Sequence, residues 1–506
     1  MTAALAEARA GRAGAGEAAG ALRAFFAAHA EVDVWEQGRR VARLGGERSG
    51  FALSCDRERL VLHLWSENAN LVRRVAAAEP AGGKLKLQCL RLGQSQPAAM
   101  VLAAGAATAP ARRNREDLRA AVTAAVEQEW REWRCQPEAG SARSVWQRLL
   151  LRRQGRLLAV VAGEAGAGAG LEALAVALAW AAEVKRRRRD AVLEGVRLIV
   201  DPGAAAAIAR VRPWLRRPAV ECFALDRAAG LLEPLAAETG NTAPLLRRAP
   251  APGGQDAGVE TAAEAALLAE VRGICPQAVW ETRPGGGRRI SVYGLEVVRT
   301  AEGTASKGEF HFGCGREQSP LEDASRPLLH QLLREVARQR VAGQDRRSPY
   351  YAAQPERWLQ HLLRRDLGCL DAQVDGRRAY SEVGMSEPGG RERVDLLGVD
   401  RGGRLLAIEL KAEEDLAFPL QGLEYWRQVR RHQEAGDFAR LGYFPGMALS
   451  PLPPRLWLVA PALRWHPRSD DITGWLAPEV PWARIGLNEE WRHSIQVVYR
   501  KEAQHG

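Results

Sequence analysis

Three residues in the last third of the chain have types and a spacing that could do chemistry: Asp395, Glu409 and Lys411. They interrupt two short apolar runs, Val394 to Val399 and Leu405 to Lys411, which are separated by Asp400-Arg401-Gly402-Gly403. That connector is turn chemistry, so the pair reads as a β-hairpin. Side chains alternate along a strand, so Glu409 and Lys411 share a face, and a hairpin can bring Asp395 alongside them. Two carboxylates and one ammonium on a mostly apolar sheet are costly unless they pair or hold a metal ion. Hard carboxylate oxygens suit Mg2+ or Mn2+. The lysine is notable because only six of the 72 basic residues are Lys, the rest being Arg. A lysine can orient or deprotonate water through a shiftable pKa, whereas an arginine stays charged.

The flanking elements must position this set. Pro355 to Leu367 reads as a helix that sets Glu356 on one face with Leu359 and Leu363. Ala379 to Gly384 reads as a strand and carries Glu382, a reserve carboxylate. Leu416 to Glu434 is helical beyond Pro419, and Gln421, Tyr425, Gln428 and His432 fall at i, i+4, i+7 and i+11 as one polar stripe. Glu413, Glu414 and Asp415 read as acids favoured by the dipole at that helix's N-terminus. Arg455 to Ala460 is a strand, Asp470 to Leu476 helical and Ser494 to Tyr499 a strand; His466 and His493 read as packing or surface residues.

The order helix, three strands, helix, strand, with Asp395, thirteen residues, then Glu409-x-Lys411, resembles the PD-(D/E)xK nuclease superfamily, which has a restriction-endonuclease-like fold. Gln421-x-x-x-Tyr425 is similar to the Q-x-x-x-Y element of its RecB-like members; Val394 stands where many members have Pro. The resemblance covers roughly residues 350 to 500. It implies a metal-dependent nuclease that hydrolyses phosphodiester bonds of DNA, in repair or defence. Asp395, Glu409 and the backbone carbonyl of Leu410 would hold Mg2+ or Mn2+, and Lys411 would orient the attacking water. Glu356 would hold a metal-bound water or a second metal, and Gln421 and Tyr425 would position the phosphate or a flanking nucleotide. A second reading keeps the fold without cleavage, as a nucleic-acid- or partner-binding protein; the intact Asp395, Glu409 and Lys411 set argues against it. A third is a structural or regulatory protein whose basic patches bind RNA or a partner.

The expected fold class is α/β multidomain. A C-terminal restriction-endonuclease-like α-β-β-β-α-β core is preceded by a small β-rich domain and an α/β middle domain. The segments are a low-complexity stretch at 1–21, a β-rich or α+β domain at 22–104, a helix plus α/β domain at 113–240, a small α+β module at 259–345 and the nuclease-like domain at 346–506. Within them Asn68 to Ala78 reads as a helix and Ala342 to Gln354 as a hinge. Gly163 to Gly170 lacks the Gly-Lys-Ser/Thr ending of a P-loop and reads as a flexible turn. Lys185 to Arg189 closes a helix; the dipole favours these cations, and phosphate contact is the alternative.

Composition narrows the class further. Net charge is +11, which favours a polyanionic partner, DNA first and RNA second. Seven cysteines include no Cys-x-x-Cys pair, which suggests neither a zinc ribbon nor a disulfide framework and fits a reducing cytoplasm. No segment has the length of uninterrupted apolar sequence that a membrane span needs, and the N-terminus lacks the pattern of a secretory signal. A homodimer would be in keeping with the resemblance, since many nucleases of that fold dimerise to cut both strands.

Overall fold

The computed structural model describes residues 16–503 apart from 30, 37–38, 46–48, 57–58, 67–68, 92–96, 105–108, 138–145, 164–168, 217–218, 236–245, 247–248, 250–260, 283–286, 301–308, 316–317, 345–347 and 386–392. The chain is a multidomain α/β protein. Helix α1 (16–28) comes first. Strands β1 (Val32–Glu36), β2 (Arg39–Leu44), β3 (Gly50–Asp56), β4 (Arg59–Ser66), β5 (Ala69–Ala81), β6 (Lys84–Arg91) and β7 (Pro97–Ala104) follow. They form an antiparallel sheet in the order β2-β1-β7-β6-β5-β4-β3. Period-two alternation builds its core: Leu60, Leu62 and Leu64, then Leu85, Leu87 and Cys89, turn inward with Leu22 and Phe25 of α1.

Next come α2 (Ala109–Glu129), β8 (Arg134–Pro137), β9 (Gln147–Arg153), β10 (Arg156–Ala162), α3 (Gly170–Arg187), β11 (Val192–Ile199), α4 (Pro202–Val211), β12 (Ala219–Asp226) and β13 (Leu231–Pro234). Their sheet runs β13-β12-β11-β10-β9-β8, with β10, β11 and β12 parallel. Then α5 (Ala262–Ile274), β14 (Ala278–Thr282), β15 (Arg288–Val292), β16 (Leu295–Thr300), β17 (Phe310–Phe312), β18 (Ser319–Pro320), α6 (Arg326–Gln339) and α7 (Pro349–Ala352) contribute a five-stranded sheet in chain order. The last part holds α8 (Pro355–Arg365), β19 (Tyr380–Gly384), β20 (Arg393–Val399), β21 (Leu405–Leu410), α9 (Phe418–Glu434), α10 (Asp437–Arg440), β22 (Arg455–Pro461), α11 (Ser469–Thr473), β23 (Trp482–Leu487) and β24 (Val497–Glu502). Its six strands also lie in chain order, and β21, β22 and β23 are parallel.

The described chain divides into two compact units: residues 1–107 with 255–361, and 108–254 with 362–506. In the first unit, the helix expected at Asn68 to Ala78 is strand β5. Leu71, Arg73 and Val75 alternate onto its inner face, and Arg73, 1% exposed, pairs with buried Glu36 at 3.0 Å. Non-local pairing here overrides the helix preference of the alanine run that follows. The segment Ala342 to Gln354, expected as a hinge, contains α7. Buried Arg340 ties it down by donating to the carbonyls of Tyr350 and Ala353 at 2.7 Å each, and to Tyr293 at 2.8 Å.

The second unit has two sheets with helices between them. On β10, Leu157, Ala159 and Val161 face α3, while Leu158, Val160 and Ala162 face α2. The strand is therefore buried on both faces, as a parallel strand should be. Helices α3 and α4 meet α9 and α11, and one apolar core runs through both halves. Trp214 and Trp426 meet edge to face with centroids 5.0 Å apart. Trp475 donates its indole N–H to the Leu178 carbonyl at 3.0 Å. Three residues of the basic run at Lys185 to Arg189 make contacts here while staying exposed: Arg186 binds Asp471, Arg187 pairs with Glu183, and Lys185 lies over Trp475. Most of the glycine-rich Gly163 to Gly170 loop lies outside the described residues, as do residues 1–15. No helix of the described residues is long and apolar enough to cross a membrane.

Candidate active site

The hairpin forms as its turn chemistry requires. Asp400 Oδ1 accepts from the backbone N–H groups of Gly402 and Arg404, both at 2.9 Å. Gly403 has φ +80° and backs onto the Ala448 carbonyl so closely that a Cβ would lie 2.1 Å from that oxygen. Only glycine meets both demands. The β20–β21 ladder runs from Val399↔Leu405 to Leu396↔Ile408. One step further, where Asp395 comes opposite Glu409, the ladder gives way to a side-chain contact. The Leu410 N–H donates to Asp395 Oδ2 at 2.9 Å. On its other edge β21 stays paired with β22, and the Lys411 N–H donates to the Val459 carbonyl at 3.1 Å.

All of β21 is buried, and Glu409 is 3% exposed. Its Oε2 is buried with no hydrogen-bond partner. Burial, and then the neighbouring Asp395 charge, raise the Glu409 carboxyl well above its ordinary pKa. Burial likewise pushes Asp395 up to about 6, with a smaller contribution from Glu382, while the Leu410 N–H and Lys411 oppose the rise. Lys411 stands at the pair: its Nζ is 3.5 Å from Glu409 Oε1 and 3.8 Å from Asp415 Oδ2. A divalent cation would balance two adjacent carboxylates, and hard oxygen donors suit it. The orphaned Glu409 oxygen and the hard donor set therefore fit Mg2+ or Mn2+. Among the described residues no group of three or more His, Cys, Asp or Glu side chains is arranged to hold a metal ion. The carboxylate pair with the Leu410 carbonyl is the candidate ligand set, and one or two carboxylates are usual for Mg2+.

Helix α9 closes over this pair. Pro419 sits in its first turn, where a missing N–H costs nothing. Gly422 faces the sheet, and a Cβ there would lie 2.5 Å from Leu458 Cδ2, 3.1 Å from Leu456 Cδ1 and 3.6 Å from Glu409 Cβ. The missing side chain lets the helix settle onto the strand that bears Glu409. Gln421, next to that contact, donates its amide to Asp415 Oδ2 at 3.1 Å. Tyr425 lies one turn on, half-buried at the edge of the core. The lower part of the polar stripe turns to structural work. Buried Gln428 donates to Glu424 at 3.1 Å, and buried His432 pairs with Asp437 at 2.7 Å.

The structure thus brings together Asp395, Glu409, Leu410 and Lys411, and joins Gln421 to them through Asp415. Glu356 lies half-buried in the first turn of α8, on the part of the chain that belongs to the first unit. Glu382 has φ +51° within β19, between the pairs Ser381↔Leu396 and Val383↔Val394, so it bulges opposite Asp395. Its charge reaches Asp395. Asp415, read from sequence as a helix-terminal acid, is also part of the site. The available signal was its position, four residues after Lys411 and six before Gln421. The chain matches no protein-family model, no curated protein and no solved structure.

Proposed function

We propose that the chain is a metal-dependent nuclease of the PD-(D/E)xK type, hydrolysing phosphodiester bonds of DNA, with a restriction-endonuclease-like core in its last 160 or so residues. The observation that carries this reading is the pair Asp395 and Glu409, facing each other where the β20–β21 ladder ends, with the buried Glu409 Oε2 lacking a hydrogen-bond partner and Lys411 beside them. Such a pair is poorly explained as a stabilising feature, because enclosed like charges cost free energy. It is well explained as a preformed cation site.

Bound between Asp395 and Glu409, Mg2+ or Mn2+ would supply positive charge at the scissile phosphate and make a water more nucleophilic. The chain's own residues do the rest. Asp395 is held in place by the Leu410 N–H. Lys411 is close enough to the pair to orient the attacking water and to offset charge on the phosphate. Gln421 and Tyr425, half-buried on α9, position the phosphate or a flanking nucleotide. The net charge of +11 suits a polyanionic substrate, with DNA favoured and RNA second, and a homodimer would cut both strands of a duplex.

The test is a cleavage panel of labelled single-stranded, duplex and branched DNA and of RNA, each with Mg2+, Mn2+ or EDTA. Cutting on at least one substrate that stops in EDTA is the expected result. No cutting on any substrate, with nucleic acid still bound, would replace this reading with a non-cleaving binding module.

A further inference from the structure

We infer that Asp415 is a positioning residue that sets Lys411 and Gln421 relative to each other, an inference that rests on the nuclease reading of the same site. Asp415 lies on the segment between β21 and α9. Its Oδ1 accepts from the Ala417 N–H at 2.8 Å, which fixes the carboxylate against the entry to α9. Its Oδ2 accepts from Gln421 Nε2 at 3.1 Å and lies 3.8 Å from Lys411 Nζ. An acid that only served the helix terminus would account for Oδ1 and leave Oδ2 unexplained.

The lysine geometry shows why a second carboxylate matters. Lys411 stands between Glu409 Oε1 at 3.5 Å and Asp415 Oδ2 at 3.8 Å. The ammonium is thus shared between the two carboxylates, nearer to Glu409. Its four-carbon stem is flexible, so the charge of Asp415, the outer of the two carboxylates, bears on where the head sits. The same oxygen fixes the Gln421 amide, so the residue that handles water and the residue that handles the phosphate share one reference point.

Two variants separate this role from a structural one. Asp415→Asn keeps a side-chain oxygen for the Ala417 N–H and removes the charge that faces Lys411. Asp415→Ala removes both. The full-length chain is treated with an amine-acylating N-hydroxysuccinimide ester in the presence of EDTA, and each lysine is followed by mass spectrometry. Lys84 and Lys86, exposed and in the other unit, serve as references. Lys411 is expected to react about threefold faster in both variants, the change appropriate to losing one partly exposed ion pair. The reference lysines are expected to keep their rates. On a cleavable substrate kcat should fall about tenfold in Asp415→Asn, as misplacement of a reacting group predicts, with KM nearly unchanged. Unchanged Lys411 labelling in Asp415→Asn would overturn the inference, whatever happens to activity. Faster labelling in a protein that cuts no substrate would support the positioning of Lys411 and overturn the nuclease reading alone.

Discussion

Replacing Asp395 with Asn should stabilise the metal-free protein while destroying its cation site. Burial lifts the Asp395 carboxyl from 3.8 to about 6. At neutral pH its ionised form therefore weakens the folded state by up to about 3 kcal/mol, taking about 1.4 kcal/mol for each pH unit of the rise. Asp395 still touches water, which reduces the penalty, and about 2 kcal/mol is a reasonable magnitude. An Asn at this position keeps an oxygen for the Leu410 N–H and offers an N–H to the carboxylate of Glu409. Thermal unfolding of the two proteins in EDTA at pH 7 should show the variant higher by several degrees. The sign of the pH dependence follows from the raised value. Between the folded value near 6 and the ordinary 3.8, the folded wild type holds a proton that the unfolded chain has lost. The wild type therefore gains on the variant as pH falls through this window, and the difference closes towards pH 4. Mn2+ should raise the wild-type midpoint, by about 2.7 kcal/mol at a hundredfold excess over Kd, and leave the variant unmoved. A variant no more stable than wild type in EDTA, or equal stabilisation of both by Mn2+, would refute the reasoning.

Two further perturbations probe the elements that hold the site. Gly422→Ala forces a methyl to within 2.5 Å of Leu458 Cδ2, so α9 or its leucine neighbours must shift. The expected cost is about 1–3 kcal/mol in urea unfolding, with a fall in kcat, because Gln421 moves with the helix. Arg210→Ala leaves Glu424, 3% exposed, without its partner on α4. Breaking a buried pair costs about 3–5 kcal/mol, but Arg427 and Gln428 still donate to Glu424, so about 2 kcal/mol is expected by the same unfolding measurement.

The local parts of this architecture were legible in the chain, and the non-local parts were not. The hairpin could be read because Asp400 to Gly403 is unambiguous turn chemistry and the runs on either side are apolar. The order of α8, β19, β20, β21, α9 and β22 follows from periodicity alone. Strand β23 was missed because WARIGL mixes two apolar stretches with an arginine and a glycine; Arg484 is buried there by its pairing with Asp470 and its stacking on Trp465, both set by the fold. Asp415 was assigned to the helix dipole because nothing in a linear spacing shows which way a carboxylate's second oxygen turns. Glu424 gave no sign of its partner, which comes from Arg210 on a helix of the other half of the second unit. The run at Lys185 to Arg189 is equally ambiguous in sequence. Glu183 lies one helical turn before Arg187, but Asp471, the partner of Arg186, is an acceptor that only the packed unit brings close.

The most direct measurement is cleavage of one labelled DNA substrate by wild type, Asp395→Ala and Lys411→Ala, each with Mn2+ and at matched DNA binding. The account predicts cutting by wild type alone, with both variants still binding the substrate. Cutting that survives either substitution would place the chemistry elsewhere in the chain and contradict the assignment of this site.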